Sequence, residues 1–136
     1  MAKPYLSVII PAYNEAERIT STLFDIDKFL SQAEYSYEII VVNDASKDNT
    51  AVVVDKLMPV IKNLHLIDNA ENKGKGGVVA QGMMSAKGNI RLFMDADNST
   101  QIEEFAKLQP FFKEGYKVVI GSRAISGASV ELYQPL

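Results

Sequence analysis

Short apolar runs rich in valine and isoleucine recur along the chain, separated by longer segments whose apolar residues return every three or four positions. The runs are YLSVIIPA, YEIIVVND, NLHLID, NIRLFMDAD and YKVVIGS. Continuous apolarity over so few residues marks strands buried on both faces, so five strands are expected. Ile19, Leu23, Ile26 and Leu30 fall on one helical face of the segment 15–32, and Val53, Leu57 and Val60 do the same in the next segment. Strand alternating with helix predicts an α/β fold with a mostly parallel sheet and helices on both faces.

Boundary signals fit this order. Asn14 can cap the first helix, Asp48 or Asn49 the second, and Thr100 with Glu103 has the spacing of a capping box for a helix starting near Gln101. Pro110 is expected to end or kink that last helix. The organised part is expected to run over residues 1–123, and the tail 124–136, AISGASVELYQPL, to be irregular.

Composition narrows the classes. The 136 residues fit one domain, and 47% hydrophobic with 23% charged residues is ordinary globular usage. The net charge of -3, from 17 acidic and 14 basic residues, gives no basic excess for nucleic acid. Without cysteine there are no disulfides or thiolate metal sites, which fits a reducing, cytoplasmic setting. No apolar run approaches the roughly 20 residues that span a bilayer, and the N-terminal run is too short for a signal peptide.

In open parallel sheets, ligands gather outside the carboxyl ends of the strands. The polar clusters lie at those ends: PAYNE, NDASKDNT, NAENKGKGG, DADNST and GSR. Within DADNST, Asp95 and Asp97 stand two residues apart. Two unit charges about 4 Å apart repel by roughly 4 kcal/mol at an effective dielectric near 20, so compensation is expected. A divalent cation, a nucleophile and acid pair, a helix N-terminus or solvation in a loop could supply it. If the strand stays extended, residues i and i+2 face one side, which suits Mg²⁺ or Mn²⁺ sharing its shell with phosphate oxygens and water.

The other loops carry weaker signals. Asp44 sits where a carboxylate can accept hydrogen bonds from a base or ribose, although such a loop is as readily a turn and cap. Gly74, Gly76 and Gly77 allow close backbone approach, and Lys73 and Lys75 can meet phosphate. NKGKGG is neither a Walker A sequence nor a dinucleotide fingerprint. Arg123 can clamp a phosphate. His65, the sole histidine, reads as structural, and the Met83–Met84 pair as core packing.

Taken together, SVIIPAYNE, EIIVVNDASKDNT, NKGKGG, DAD and GSR resemble, in this order, the motifs of the inverting family 2 glycosyltransferases of GT-A fold. Within that family they look most like the dolichyl-phosphate and polyprenyl-phosphate sugar synthases. The resemblance covers Ser7 to Arg123 and implies a Rossmann-like nucleotide-binding half. It implies that Pro11, Ala12, Tyr13 and Glu15 line a nucleotide pocket with Val42 and Asp44, Asp44 meeting the base or ribose. Gly74 and Lys75 would lie near phosphate, Asp95 and Ala96 would flank the ribose and diphosphate, and Asp95 and Asp97 would hold Mg²⁺ or Mn²⁺, Asp97 being the chief ligand. Asp97 and Arg123 would carry the catalysis. The implied partners are a UDP- or GDP-sugar and a lipid-phosphate acceptor, with peripheral contact at the cytosolic face of a membrane. An unfinished sheet edge leaves room for a homodimer.

Three positions depart from the family pattern. Asn43 stands where an aspartate is common, Ala45 where glycine is common, and Ser99 where the mannose synthases often have a metal-holding glutamine. Only thirteen residues follow Arg123, so the chain is expected to be the donor-binding part of such an enzyme, truncated before the acceptor region. The alternatives are a non-catalytic nucleotide-binding module completed by a partner chain and a haloacid-dehalogenase-type phosphatase. The phosphatase motif D-x-D-x-T resembles DADNS but belongs on a first strand, with a long chain after it.

Overall fold

The computed structural model describes residues 2–121. The chain divides into two compact units, residues 1–102 and a second beginning at Glu103. The first unit holds strands β1 (Leu6–Ala12), β2 (Tyr37–Asn43), β3 (Leu64–Asp68) and β4 (Ile90–Phe93), with helices α1 (Ile19–Leu30), α2 (Thr50–Leu57) and α3 (Gly74–Ser85) between them. All the strand pairs are parallel, and the sheet order is β3-β2-β1-β4.

This order creates the site. The chain steps outward from β1 to β2 to β3, then returns across the sheet to place β4 on the other side of β1. The order therefore reverses between β1 and β4, which is where open α/β sheets form a ligand crevice. Pairing between these strands stops at Ile9 and Phe93, while β1 runs on beside β2 to Ala12. Pro11 contributes to that divergence. The Ile9 carbonyl accepts the Met94 amide at 2.9 Å, so by alternation the Pro11 nitrogen points the same way, where β4 has ended and no donor is needed.

The core follows the predicted faces. Ile19, Leu23, Ile26 and Leu30 are all buried, as the spacing requires. On the α3 side, Ile9, Ile40, Val42, Val78 and Ala86 form one apolar cluster, with Met83 packed against it. Gly82 lets α3 sit this close, because a Cβ there would lie 2.4 Å from the Ile9 Cγ2 methyl. At the amino ends of the strands, the Ser7 hydroxyl donates to Glu38 Oε1 (2.6 Å) and accepts the Gly88 amide (2.8 Å), while the Lys87 amide also reaches Glu38 (2.8 Å). This buried network ties β1, β2 and the approach to β4 together away from the crevice.

Several expectations are corrected. Asn14 does not cap α1, which begins four residues later than the apolar pattern alone implies; its side chain bonds the neighbouring loop instead. The N-cap of α2 is Asn49, which makes no side-chain cap bond; Asp48, one residue earlier, accepts the Thr50 amide at 3.0 Å. The buried face of α2 is centred on Thr50 and Val54, leaving Val60, beyond the helix end, exposed. Met84 is also exposed, because successive helical residues point about 100° apart and only Met83 faces the sheet.

In the second unit, α4 (Phe105–Lys113) follows a short 3₁₀ turn and has no side-chain cap from a Thr100–Glu103 box. It continues through Pro110 and ends at Gly115, whose φ of +100° closes the helix. The stretch 116–121 forms no strand among the described residues, and Val118 and Ile120 are exposed. Its apolar composition favours a strand, but a strand exists only with a partner ladder. Arg123 and the tail 124–136 lie outside the described residues.

Candidate functional site

Three loops leave the carboxyl ends of β1, β2 and β4, and each contains one non-glycine residue in the left-handed region: Asn14 (φ 54°), Ala45 (φ 57°) and Asn98 (φ 60°). Such backbone is costly and persists only where surroundings hold it. Here side chains do so. The Asn14 amide donates to Ser46 Oγ (2.9 Å), and Asn14 Oδ1 accepts the Lys47 amide (2.8 Å). The Glu15 amide donates to Thr50 Oγ1 (3.0 Å) and the Ala16 amide to Asp48 Oδ2 (3.2 Å). The β1 and β2 loops are thereby one rigid piece, with Pro11, Ala12 and Tyr13 on one edge and Val42 behind it.

Asp44 is buried, and its carboxylate grips the start of α3: Oδ1 accepts the Lys73 amide at 2.7 Å and Oδ2 the Gly74 amide at 3.0 Å. Asn72 completes the join by donating to the Asp44 carbonyl at 3.0 Å. The glycine-rich stretch is therefore the first turn of a helix, not a free loop. Its Gly74 adopts a φ of +77°, and a Cβ at Gly74 or Gly76 would meet nothing within 4 Å. The Lys73 and Gly74 amides are already taken by Asp44, and the open space lies over the rest of this first turn, at the positive end of the helix.

From that turn, Lys75 Nζ reaches Asp95 Oδ1 at 2.6 Å. Asp97 is held differently. Burial pushes its carboxyl up, but hydrogen bonds from the Ser99 backbone and hydroxyl, together with the Arg18 charge, outweigh this and hold it below the ordinary value. The Ser99 amide lies 3.0 Å from Asp97 Oδ1. Beside it, Glu15 pairs with Arg18 at 2.7 Å, yet burial wins and raises the Glu15 carboxyl, with Asp97 adding to the rise. Ala96, between the two aspartates, is buried.

The extended geometry that was to aim both aspartates at one site does not persist, because β4 ends at Phe93 and residues 96 and 97 form a turn closed by left-handed Asn98. Each carboxylate has its own compensation: Lys75 for Asp95, Ser99 and Arg18 for Asp97. A hard divalent ion still fits the donors, which are two carboxylates in one turn with Asp97 kept ionised. Among the described residues no group of three or more His, Cys, Asp or Glu side chains stands ready for a metal. The described residues form no cage, so an ion here would complete its shell with substrate oxygens and water.

Sequence reasoning missed Arg18, although its i,i+3 spacing from Glu15 was a signal. It also missed Ser46, Thr50 and Asn72, polar residues whose loop partners lie far away in sequence. His65 is exposed on β3 with its Nε2 4.0 Å from Glu38 Oε2, remote from this crevice.

A crevice at the reversal point of a parallel sheet, with a helix N-terminus and an aspartate turn at its mouth, is where open α/β proteins bind their ligands. The family model for Glycosyl transferase family 2 matches residues 7–136, and the chain belongs to that family. Over 131 residues it is 38% identical to a dolichyl-phosphate beta-glucosyltransferase of Dictyostelium discoideum, covering 88% of this chain and 40% of that relative. Among solved structures it resembles the mannosyltransferase PcManGT from Pyrobaculum calidifontis in complex with GDP-Man and Mn²⁺ (TM-score 0.60, 30% identity, 71% of this chain and 28% of that one). It also resembles S. aureus TarS in complex with UDP-GlcNAc (TM-score 0.65, 29% identity, 81% of this chain and 31% of that one). The chain thus spans well under half the length of these relatives.

Proposed function

We propose that this chain forms the donor-binding part of an inverting glycosyltransferase that moves a sugar from a UDP- or GDP-sugar to a dolichyl or polyprenyl phosphate. The names of the curated relatives favour a glucosyl donor and a dolichyl phosphate acceptor. The observation that carries the reading is the linkage of Asp44, the α3 N-terminus, Lys75 and Asp95 across the crevice. It sets the positive end of a helix, an ammonium and carboxylates around one crevice, as a diphosphate with its counter-ion would require.

In this reading Pro11, Ala12, Tyr13, Glu15 and Val42 line the nucleotide pocket, with Asp44 at its floor. Gly74 and Lys75 face the diphosphate, and Asp95 with Asp97 holds Mg²⁺ or Mn²⁺. A bound divalent ion would offset the charge that grows on the departing diphosphate. Arg123 would lie near phosphate in this reading, as the resemblance implies. A phosphate acceptor is already an anion, so the chain need not supply a strong base for it. Such an acceptor brings the protein to a membrane surface as a peripheral partner, on the cytosolic side. Among the described residues no helix is long and apolar enough to cross a membrane. Among the described residues β3 and β4 are the edge strands, and a homodimer would form there.

Calorimetric titration of UDP, GDP and their glucose and mannose conjugates, with Mn²⁺ and then with chelator, tests the proposal. Metal-dependent binding of one nucleotide is the expected result. Absence of binding in a chain shown to be folded overturns it.

A further inference from the structure

We propose that Lys75 and a divalent cation compete for Asp95, so that metal and diphosphate bind by an exchange: the metal takes Asp95 from Lys75, and Lys75 passes to the diphosphate. The inference rests on the donor-site reading above and concerns how that site is loaded.

Four observations point to it. Lys75 Nζ lies 2.6 Å from Asp95 Oδ1, a direct contact on an oxygen a metal would need. Both side chains are substantially exposed, at 63% and 43%, and an ion pair so wetted is weak, so displacing it costs little. Lys75 is the second residue of α3, where the helix macrodipole is positive and a cation is disfavoured. It needs a nearby anion there, and a diphosphate carries more charge than one carboxylate. Finally, Asp44 fixes the α3 N-terminus through the Lys73 and Gly74 amides, so Lys75 changes partner by side-chain rotation on a fixed backbone.

The exchange predicts a linkage. Metal on Asp95 frees Lys75 for diphosphate, and diphosphate on Lys75 frees Asp95 for metal. Each ligand raises the affinity of the other, and by thermodynamic reciprocity the two factors are equal. Mutual charge neutralisation at the metal would also give cooperativity, so the decisive reading is the metal alone. Removing the Lys75 charge should strengthen it there, and should reduce the lift that nucleotide confers.

The experiment measures Mn²⁺ affinity from the electron paramagnetic resonance signal of the free ion, without nucleotide and with saturating UDP or GDP, for the wild type, Lys75→Gln and Lys73→Gln. Lys73→Gln makes the same charge change two residues away and is the control for long-range field. Lys75→Gln is expected to bind Mn²⁺ alone about three- to fivefold more tightly, the worth of an exposed ion pair, while Lys73→Gln moves little. The nucleotide-induced lift should fall several-fold in Lys75→Gln only. Unchanged Mn²⁺ affinity in Lys75→Gln, or a rise matched by Lys73→Gln, overturns the exchange and leaves the donor site standing. No Mn²⁺ binding to the wild type with either nucleotide overturns both.

Discussion

The hydroxyl of Thr22, buried on α1, donates a 2.7 Å hydrogen bond to the carbonyl of Ala96, the residue between the two aspartates of the site. It fastens the turn to a helix that comes 74 residues earlier in the chain. Replacing Thr22 by valine keeps the shape and removes the donor, leaving a buried carbonyl unpaired. The expected loss is about 1–3 kcal/mol in denaturant unfolding. Metal-dependent nucleotide affinity should fall as well, and Thr22→Ser should retain most of both. A fully stable Thr22→Val protein would show that the turn holds itself.

Asp97→Ala is expected to abolish metal-dependent nucleotide binding while leaving the fold intact, since its hydrogen bond reaches no farther than Ser99 in the same turn. Asp44→Ala should behave differently. It deletes a buried carboxylate with two backbone amide partners; charge-assisted bonds of this kind contribute about 1.5–3 kcal/mol each, so a marked drop in the unfolding midpoint accompanies weaker binding, with or without metal. Circular dichroism melts run beside calorimetry separate the two behaviours.

What the sequence revealed and what it hid divide along physical lines. The β1, β2 and α1 core positions were legible because burial imposes a period, and Ile19 through Leu30 obey it. The aspartate turn was legible as a motif but not as a geometry. Nothing local says that β4 stops at Phe93, because that boundary is set by where β1 diverges at Pro11. The α3 start was hidden for a related reason: three glycines within four residues lower helix propensity, and the compensation comes from Asp44, some 30 residues away. Val118 and Ile120 show the reverse error, where strand-forming composition was read without a partner to pair with.

Gly88→Ala should be severely destabilising. A Cβ there would stand 2.5 Å from Ser7 Oγ, 2.6 Å from the Ser7 backbone nitrogen and 2.9 Å from the Ile90 carbonyl. Two of those atoms are backbone and cannot swing aside, so β1 and the start of β4 must part. Overpacking of this kind costs typically about 1–3 kcal/mol, and here the Ser7–Glu38 network breaks with it. A wild-type unfolding midpoint in Gly88→Ala would mean that the strand ends yield without loss of the Ser7–Glu38 network.

Ala45→Gly should move stability the other way. Ala45 holds a φ of +57° in the β2–α2 loop, and a side chain in that region costs roughly 1–2 kcal/mol. Glycine removes this cost but enlarges the freedom of the unfolded chain by about 0.4–1 kcal/mol. The difference favours the variant by up to about 1.6 kcal/mol, read as a higher denaturant midpoint with an unchanged slope. A lower midpoint would show that the alanine methyl makes a packing contribution larger than the strain.

The acid limb of the stability curve tests the charges of the site. Asp97 and Asp48 both sit below their ordinary value of 3.8. Burial opposes the shift at Asp97 and the Ser99 bonds with the Arg18 charge overcome it; the Thr50 hydroxyl leads at Asp48. Lowered carboxylates stabilise the fold above their unfolded value, and that contribution is lost as pH falls through the folded one. Glu15 has the opposite sign. Burial raises its carboxyl above the ordinary 4.5, so its ionised form opposes folding at neutral pH and protonation relieves this first as pH drops. Unfolding midpoints measured from pH 6 down to about 2 should therefore decline chiefly below the ordinary aspartate range. Asp97→Asn should start lower than the wild type and converge with it at the acid end, whereas Glu15→Gln should differ most at neutral pH. Parallel curves for wild type and Asp97→Asn across the whole range would mean that Ser99 and Arg18 do not hold Asp97 in its charged form.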